Sequence, residues 1–193
     1  MTDNCKKFRQ IIGAAPGRKE PREKDDYYAT DPKALELLLE KEHFSRHVWE
    51  CACGEGHLAK VLLSRGYYVK ASDLIDRGFG EGGVDFLSEK ESWNGDIITN
   101  PPFKLVLPFI NHALELIPVG NKVAFFLKIQ FLEGKERKSF FENTPPARVY
   151  VSASRIQCAL NGKFDQYHSN TLCYAWFIWE KGYKGETILK WFN

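Results

Sequence analysis

The chain of 193 residues lacks the long apolar segments that would be needed to cross a membrane. Its apolar runs are short, so we expect no transmembrane helix and no membrane partner. Residues 1–10 are polar and contain no apolar core of the kind found in signal peptides. The sequence therefore favours a cytoplasmic location.

Cysteines are few and irregularly spaced. There are five, and an odd number without regular spacing argues against a disulfide framework. Cys51 and Cys53 are one residue apart, with no second Cys or His pair at the spacing of a zinc site. We interpret them as small apolar residues of a core strand, and we expect no metal site.

Net charge is also low, at +2, but it is unevenly distributed. Residues 1–24 hold seven Lys or Arg against three Asp or Glu, and the rest of the chain is slightly acidic. We predict a flexible basic arm over residues 1–26 and one folded domain over 27–193. The arm could attract a phosphate backbone, or it could be a solvated tail without a partner.

No internal repeat or low-complexity tract interrupts the domain, and helical and strand patterns alternate along it. This alternation predicts an α/β fold with a Rossmann-like, doubly wound, mostly parallel sheet and one antiparallel strand near the C-terminus. The predicted helices are 32–40, 58–65, 105–116 and 136–142. The predicted strands are 48–52, 67–72, 84–87, 95–99, 122–127, 148–152 and 172–179.

The segment Asn100-Pro101-Pro102-Phe103 follows an apolar run that is typical of the end of a buried strand. Two consecutive prolines have no amide hydrogens, so neither a helix nor a central strand can continue through them. Free carbonyls, the Asn100 side-chain oxygen and the flat ring of Phe103 suit a planar base that carries an NH2 group. A simple strand-to-loop turn is the alternative interpretation.

Glycines and acidic residues follow the other predicted strands. Gly54 and Gly56 come after the first strand but do not form the GxGxxG fingerprint, so a pyrophosphate site is disfavoured. Glu50 precedes them, and Asp73 and the pair Asp85-Phe86 end the next two predicted strands. Ligands of such sheets bind at the carboxyl ends of the strands, where all these residues are expected to meet. Singly, each residue could equally be a turn glycine, a surface Asp or a capping Asp.

In this order, these motifs resemble those of class I S-adenosylmethionine-dependent methyltransferases that modify amino groups. The resemblance runs from about Tyr27 to the C-terminus and is greatest to small phage- or prophage-borne DNA N6-adenine methyltransferases. It implies a methyltransferase catalytic domain over 27–193, and for a phage protein the location would be the host cytoplasm. Further segments of the resemblance are Tyr27–Pro32, Phe131–Gly134 with Arg137, and Tyr174–Gly182.

The resemblance implies S-adenosylmethionine as the cofactor and gives individual residues a role in binding it. Gly54 and Gly56 would let the backbone pass close to the cofactor, and Glu50 would lie near its amino acid end. Asp73 would hold the ribose hydroxyls. Asp85 would bond the adenine amine of the cofactor, with Phe86 beside it, and Tyr28 and Thr30 would close over the methionine moiety.

It also implies that the turn Asn100–Phe103 is catalytic. The Asn100 side-chain oxygen and the Pro101 carbonyl would accept hydrogen bonds from the target amine, and the flipped target base would stack on Phe103. The substrate would be DNA, and some basic residues after the turn would contact phosphate. Candidates are Lys104, Lys128, Lys135, Arg137, Lys138 and Arg155.

Several alternatives stay open at this point. Protein-glutamine and some RNA methyltransferases share the Asn-Pro-Pro-aromatic turn, and an inactive cofactor-binding module would keep the fold. Few residues follow the turn, so sequence readout would be weak, short, or built from loops such as Gly162–Asn170. Neither the recognition sequence nor the oligomeric state follows from the sequence.

Overall fold

In the computed structural model, the described residues are 27–154, 156, 158–160 and 172–193. The predicted basic arm, Arg155 and the loop Gly162–Asn170 lie outside them. No helix within the described ranges is both long and apolar enough to cross a bilayer.

Strands and helices alternate through most of the described chain. The strands are β1 (Tyr28–Thr30), β2 (His47–Glu50), β3 (Tyr68–Asp73), β4 (Glu81–Gly82), β5 (Asp96–Thr99), β6 (Lys122–Lys128), β7 (Arg148–Val151), β8 (Cys158–Leu160), β9 (Tyr174–Glu180) and β10 (Ile188–Trp191). The α-helices are α1 (Pro32–Leu39), α2 (His57–Ser64), α3 (Val106–Leu116) and α4 (Lys135–Asn143). Short 3₁₀ helices span Phe86–Ser88, Phe103–Leu105 and Ile129–Leu132.

Eight strands form one sheet in the order β10-β7-β9-β6-β5-β2-β3-β4. Only β9 of these runs antiparallel to its neighbours, β6 and β7. The prediction of a mostly parallel sheet with one late antiparallel strand is therefore confirmed. Strand order reverses between β2 and β5, and in doubly wound sheets ligands bind at the carboxyl ends of the strands at this point.

Two apolar layers cover the faces of the sheet, and β9 contributes to both because its side chains alternate between them. Trp176 packs with α1 and α2 on one face, whereas Phe177 and Trp179 pack with α3 on the other. The strand predicted over 172–179 is thus a central strand of the core, and every residue from Tyr174 to Trp179 is buried.

Helix α1 begins where the sequence indicates. The Asp31 side chain accepts a hydrogen bond from the Lys33 amide at 2.9 Å, and Pro32 occupies the first turn, where its missing amide hydrogen has no cost. Ala34, Leu35 and Leu38 form its buried face. This packing fixes the chain just after β1, which crosses above the carboxyl edge of the sheet.

Some predicted elements were wrong. The segment 84–87 is not a strand: Asp85 caps a 3₁₀ helix at Phe86–Ser88, accepting from the Leu87 amide at 3.1 Å and from Ser88 Oγ at 2.7 Å. Short strands β1, β4, β8 and β10 were not predicted. Strands β1, β4 and β8 have only two or three residues and carry too little alternation to be recognised, and β1 and β8 pair with each other outside the main sheet. Strand β10 is exposed along its whole length, so it has no apolar pattern of a buried strand.

At the amino edge of the sheet, where β6 and β7 begin, the buried Glu42 holds an ion-pair network. Its carboxylate accepts from Lys122 Nζ at 2.6 Å, from Arg148 Nε at 2.7 Å and from the Tyr150 hydroxyl at 2.8 Å. Although burial disfavours its charge, these three donors together hold the pKa of Glu42 below its ordinary value. The carboxylate therefore ties the segment that follows α1 to two strands far away in the sequence.

Candidate active site

A cavity of about 390 Å³ opens at the carboxyl ends of β2, β3 and β5, where the strand order reverses. Such a volume lies in the range of small-molecule sites. Ten of the twelve predicted site residues line it, and the two glycines do not. The ten are Tyr28, Thr30, Glu50, Asp73, Asp85, Phe86, Asn100, Pro101, Pro102 and Phe103.

The Asn100 side chain is held in one orientation. Its Nδ2 donates to the Tyr28 carbonyl in β1 at 2.9 Å. That bond leaves Oδ1 as a buried acceptor, and no group in the described chain donates to it. A buried polar atom without a partner is costly, so this oxygen is poised for a donor from a ligand.

Beside it, the two prolines turn the chain from β5 into a 3₁₀ helix. The Pro102 carbonyl accepts from the Leu105 amide at 2.8 Å, which fixes the turn. The Pro101 carbonyl receives no comparable backbone bond within the described ranges. Phe103 is half-buried, and its ring lies 6.1 Å from that of Tyr28 and 6.4 Å from that of Tyr174.

Glu50 ends β2 and is 2% exposed. Its Oε2 has no hydrogen-bond partner among the described residues. Burial raises the pKa of this carboxyl well above its ordinary value, and the charge of Asp73 adds to the shift, while the Ala59 backbone acts in the opposite direction. Burial therefore favours the neutral form of Glu50, and a cation beside the carboxyl would favour its charged form.

The Asp73 carboxylate at the end of β3 is largely occupied by the protein. Oδ2 accepts from the Gly54 amide at 2.8 Å, and Oδ1 accepts from the Ile75 amide at 2.9 Å and from Arg77 Nη1 at 3.1 Å. A carboxylate offers about four acceptor positions, so about one remains.

Both predicted glycines have positive φ, +55° at Gly54 and +77° at Gly56. A Cβ at Gly54 would lie 2.3 Å from the Tyr27 ring, and one at Gly56 would lie 2.3 Å from the Phe79 ring. The close approach that these glycines permit is therefore to two aromatic side chains of the protein. Gly54 does not line the cavity, but its amide fixes the carboxylate of the lining residue Asp73.

Phe86 forms part of the cavity floor. It is 2% exposed and packs against Trp49 and Phe109, with ring centroids 5.2 and 4.9 Å away. Asp85, which precedes it, is exposed at the rim. Its carboxylate caps the 3₁₀ helix, which agrees with the alternative interpretation of this residue as a capping Asp.

A small ribbon of β1 and β8 borders the site, and its β1 strand lines the cavity. Thr30 pairs with Cys158, and Tyr28 with Leu160. Burial raises the pKa of the Cys158 thiol to about 12, so this cysteine is an inert part of the ribbon. The ribbon places the Tyr28 carbonyl against Asn100.

Several lining residues were missed from the sequence, among them Arg77, His57 and Phe109. Arg77 pairs with Asp73, and its guanidinium lies 4.4 Å from the centre of the Tyr27 ring. His57 opens α2, and burial lowers its pKa. Spacing of four residues from Asp73 is the one sequence signal for Arg77.

The predicted phosphate contacts separate into groups. The Arg137 guanidinium donates to the carbonyls of Phe131, Gln130 and Glu133, so it stabilises the turn before α4. Lys138 forms an exposed ion pair with Glu142. Lys104 lines the cavity, and Lys128 Nζ lies 4.4 Å from the centre of the Phe103 ring.

No protein-family model matches the sequence, and no curated protein is significantly similar to it. Solved structures do match. A Listeria monocytogenes protein assigned to the class I S-adenosylmethionine-dependent methyltransferases is 14% identical, with a TM-score of 0.55 over 83% of this chain and 62% of its own. This chain thus spans less than two thirds of that protein.

Two further structures show the same arrangement. An S-adenosylmethionine-dependent O-methyltransferase from Thermotoga maritima has a TM-score of 0.51 at 14% identity, over 92% of this chain and 72% of its own. The type IIG restriction endonuclease BpuSI also has a TM-score of 0.51 at 14% identity, over 78% of this chain and 24% of its own. The fold of this chain is the Rossmann-like class I methyltransferase fold.

Proposed function

We propose that this chain is an S-adenosylmethionine-dependent methyltransferase that methylates the exocyclic amine (N6) of adenine in DNA. The observation that carries the proposal is the Asn100 side chain, whose Nδ2 is fixed by the Tyr28 carbonyl and whose buried Oδ1 has no partner in the described chain. An acceptor held in this way suits an NH2 group. Asn100 lines the same cavity as Glu50 and Asp73, two acidic residues that suit the cofactor.

The lining residues fit S-adenosylmethionine. Glu50 presents a buried carboxyl oxygen without a partner, which suits the ammonium of the methionine moiety. The remaining acceptor position of Asp73 suits a ribose hydroxyl, and the floor at Phe86 suits a flat ring. When bound, the cofactor would supply a methyl group on a cationic sulfur.

Asn100 and Pro101 would act on the target amine. The lone pair of an adenine amine is delocalised into the ring, which makes the nitrogen a poor nucleophile. Two fixed acceptors on its hydrogens favour a tetrahedral nitrogen and stabilise the charge that develops on it. The amine would exchange one hydrogen for the methyl group that the cofactor supplies and would give that proton to solvent. Because the acceptors on Asn100 and Pro101 stabilise the developing charge, no strong base is required.

DNA is the substrate that the sequence resemblance favours, and the occurrence of this fold in a restriction endonuclease is compatible with it. An adenine in duplex DNA must leave the base stack before its amine can reach Asn100. Phe103, half-buried at the cavity wall, provides an aromatic surface for the flipped base.

Transfer of a labelled methyl group from the cofactor to DNA, RNA and glutamine-containing peptides tests this proposal. We expect label in DNA, and digestion followed by mass spectrometry should identify it as N6-methyladenine. Label in RNA or peptide alone would refute the DNA substrate but not methyl transfer. Absence of cofactor binding in calorimetry would refute the function altogether.

A further inference from the structure

Tyr27 and Tyr28, at the start of β1, each contact a different part of the cavity wall. The Tyr28 carbonyl accepts the hydrogen bond from Asn100 Nδ2, at 2.9 Å, that orients the candidate catalytic amide. The Tyr27 side chain lies instead on the turn that follows β2, at Gly54 and Glu55. Because the two tyrosines are consecutive, a shift of Tyr27 away from that turn also moves the carbonyl that holds Asn100.

Contacts from three residues hold the Tyr27 side chain in place. Its hydroxyl accepts from the Glu55 amide at 3.2 Å and donates to Glu55 Oε2 at 3.3 Å. A Cβ on Gly54 would lie 2.3 Å from the ring, so the ring rests directly against the Gly54 backbone. The Arg77 guanidinium lies 4.4 Å from the ring centre, a distance typical of a cation–π contact. Burial raises the pKa of Tyr27 to about 12, so the hydroxyl keeps the proton that it donates to Glu55.

Strand β1 needs such a contact because it lies outside the eight-stranded sheet. It pairs with β8 in a separate two-stranded sheet, over three residue pairs. A pair of short strands is only marginally stable by itself. The carboxyl end of β1 continues into α1, whose apolar face packs on the core, so that end is fixed. At its amino end, the Tyr27 side chain connects β1 to the turn after β2.

We infer that Tyr27 is a positioning residue that acts through β1 to keep the Asn100 side-chain oxygen directed at the target amine. This inference rests on the proposed function and adds a residue to it. An amide that loses its bond to the Tyr28 carbonyl can rotate by half a turn, which exchanges Oδ1 for Nδ2. In that orientation Asn100 presents donors to an amine whose hydrogens need acceptors, so the reaction slows.

A direct contact with the cofactor is the other role open to Tyr27, because its side chain lines the cavity. Its hydroxyl, however, already donates its hydrogen to Glu55. A cofactor contact predicts a weaker affinity for the cofactor when the side chain is changed. A positioning role predicts a lower kcat at saturating cofactor with nearly unchanged affinity, and this loss should disappear once the Asn100 amide is absent.

The test changes the Tyr27 side chain in two steps in the full chain. Tyr27→Phe keeps the ring and removes both hydrogen bonds of the hydroxyl, and Tyr27→Leu also removes the flat ring. Each change is made alone and together with Asn100→Ala, which gives a double-mutant cycle. Tyr183→Phe is the matched control, because the Tyr183 hydroxyl also bonds the chain, donating to the Glu186 carbonyl at 2.8 Å, and does not line the cavity.

The rate is measured as transfer of a labelled methyl group to DNA, or to the RNA or glutamine peptide if the wild type labels that instead. We expect kcat to fall about threefold in Tyr27→Phe and about tenfold in Tyr27→Leu, since a misplaced catalytic group can cost up to about 10²-fold. In the Asn100→Ala background, neither change should lower kcat further. The cofactor dissociation constant from calorimetry should stay within about twofold of wild type, and Tyr183→Phe should match wild type in both measurements.

An equal fall in kcat with and without the Asn100 amide would show that Tyr27 acts independently of it, which would overturn this inference while methyl transfer stands. Weaker cofactor affinity with unchanged kcat would overturn it in favour of a cofactor contact. If Tyr27→Leu binds no cofactor, the cycle with Tyr27→Phe decides by the same criteria. If the wild type labels none of the substrates, the proposed function fails together with the inference.

Discussion

At each edge of the central sheet one glutamate is almost fully buried: Glu42 at the amino edge is 6% exposed and Glu50 at the carboxyl edge is 2% exposed. Glu42 receives hydrogen bonds from Lys122, Arg148 and Tyr150, and its pKa is lowered. Glu50 has an oxygen without a partner in the described chain, and burial raises its pKa.

The same contrast holds for one asparagine at each edge. At the amino edge, Asn121 Nδ2 donates to Asp96 at 2.9 Å, and Asp96 also accepts from the amides of Ser45 and Lys122. At the carboxyl edge, Asn100 keeps a buried acceptor unused. Buried polar atoms of Glu42 and Asp96 at the amino edge have hydrogen-bond partners, whereas buried oxygens of Glu50 and Asn100 at the carboxyl edge have none in the described chain. This difference indicates that the amino edge stabilises the fold and the carboxyl edge is built for a ligand.

Removing the charge of Glu42 should have the largest effect. Glu42→Gln should lower the free energy of unfolding by about 3 kcal/mol, because Lys122 and Arg148 would lose their shared carboxylate. Glu50→Gln should leave stability unchanged or raise it by up to about 1 kcal/mol, because a neutral amide replaces a carboxyl that resists ionisation. Urea unfolding of both variants measures the difference.

The two glutamates should change folding stability in opposite directions as pH changes. Because the pKa of Glu42 is lowered in the folded state, its ionised form contributes to folding stability. This contribution is present above the unfolded-state pKa and is lost as pH falls through the folded-state pKa. The pKa of Glu50 is raised in the folded state, so its contribution to folding stability is present below the unfolded-state pKa. That contribution is lost as pH rises through the folded-state pKa. Equal destabilisation of the two variants at neutral pH would break the comparison between the edges.

Next in size is the effect of Asn100→Ala on turnover. Loss of a fixed acceptor should lower kcat by about 10²-fold or more, while the affinity for the cofactor stays near that of wild type. Asn121→Ala is the matched variant at the amino edge, and it should cost stability without a change in kcat at a temperature where it is folded. Wild-type turnover by Asn100→Ala would disprove the assigned chemistry.

A smaller effect concerns the proton on Glu50. A cation bound beside this carboxyl should lower its raised pKa, so cofactor binding should release up to one proton, and affinity should rise with pH by at most about tenfold per unit. Calorimetry in buffers of different ionisation enthalpy counts the proton. Glu50→Gln should release none, and proton uptake by the wild type would contradict the assignment.

The smallest effect is expected at Arg77, which occupies one acceptor position of Asp73. Arg77→Met should free that position for a ribose hydroxyl and tighten cofactor binding by roughly threefold, the size of a modest hydrogen bond. Arg65→Met, at the exposed end of α2, serves as the control. Weaker binding by Arg77→Met would mean instead that the arginine holds Asp73 in place.

Much of the fold was predictable because its signals are local. Asp31, Pro32 and the apolar face after them mark α1 within a few residues, and the Asn100–Phe103 turn ends β5 through the chemistry of proline. The segment 84–87 was wrongly predicted as a strand because a capping carboxylate and a strand-end carboxylate look alike in sequence. The ribbon of β1 and β8 escaped prediction because each strand is only three residues long.

By itself, the sequence determined which side chains come to the carboxyl edge, since Glu50, Asp73 and Asn100 each lie at the end of a strand of recognisable pattern. Only the tertiary structure decided which of them have partners. Asn100 is oriented by a carbonyl 72 residues away, and Glu42 is satisfied by an arginine 106 residues away. Hydrogen bonds between distant segments depend on how those segments pack. That packing gives the buried Glu42 at the amino edge its partners and leaves oxygens of Glu50 and Asn100 at the carboxyl edge without partners in the described chain.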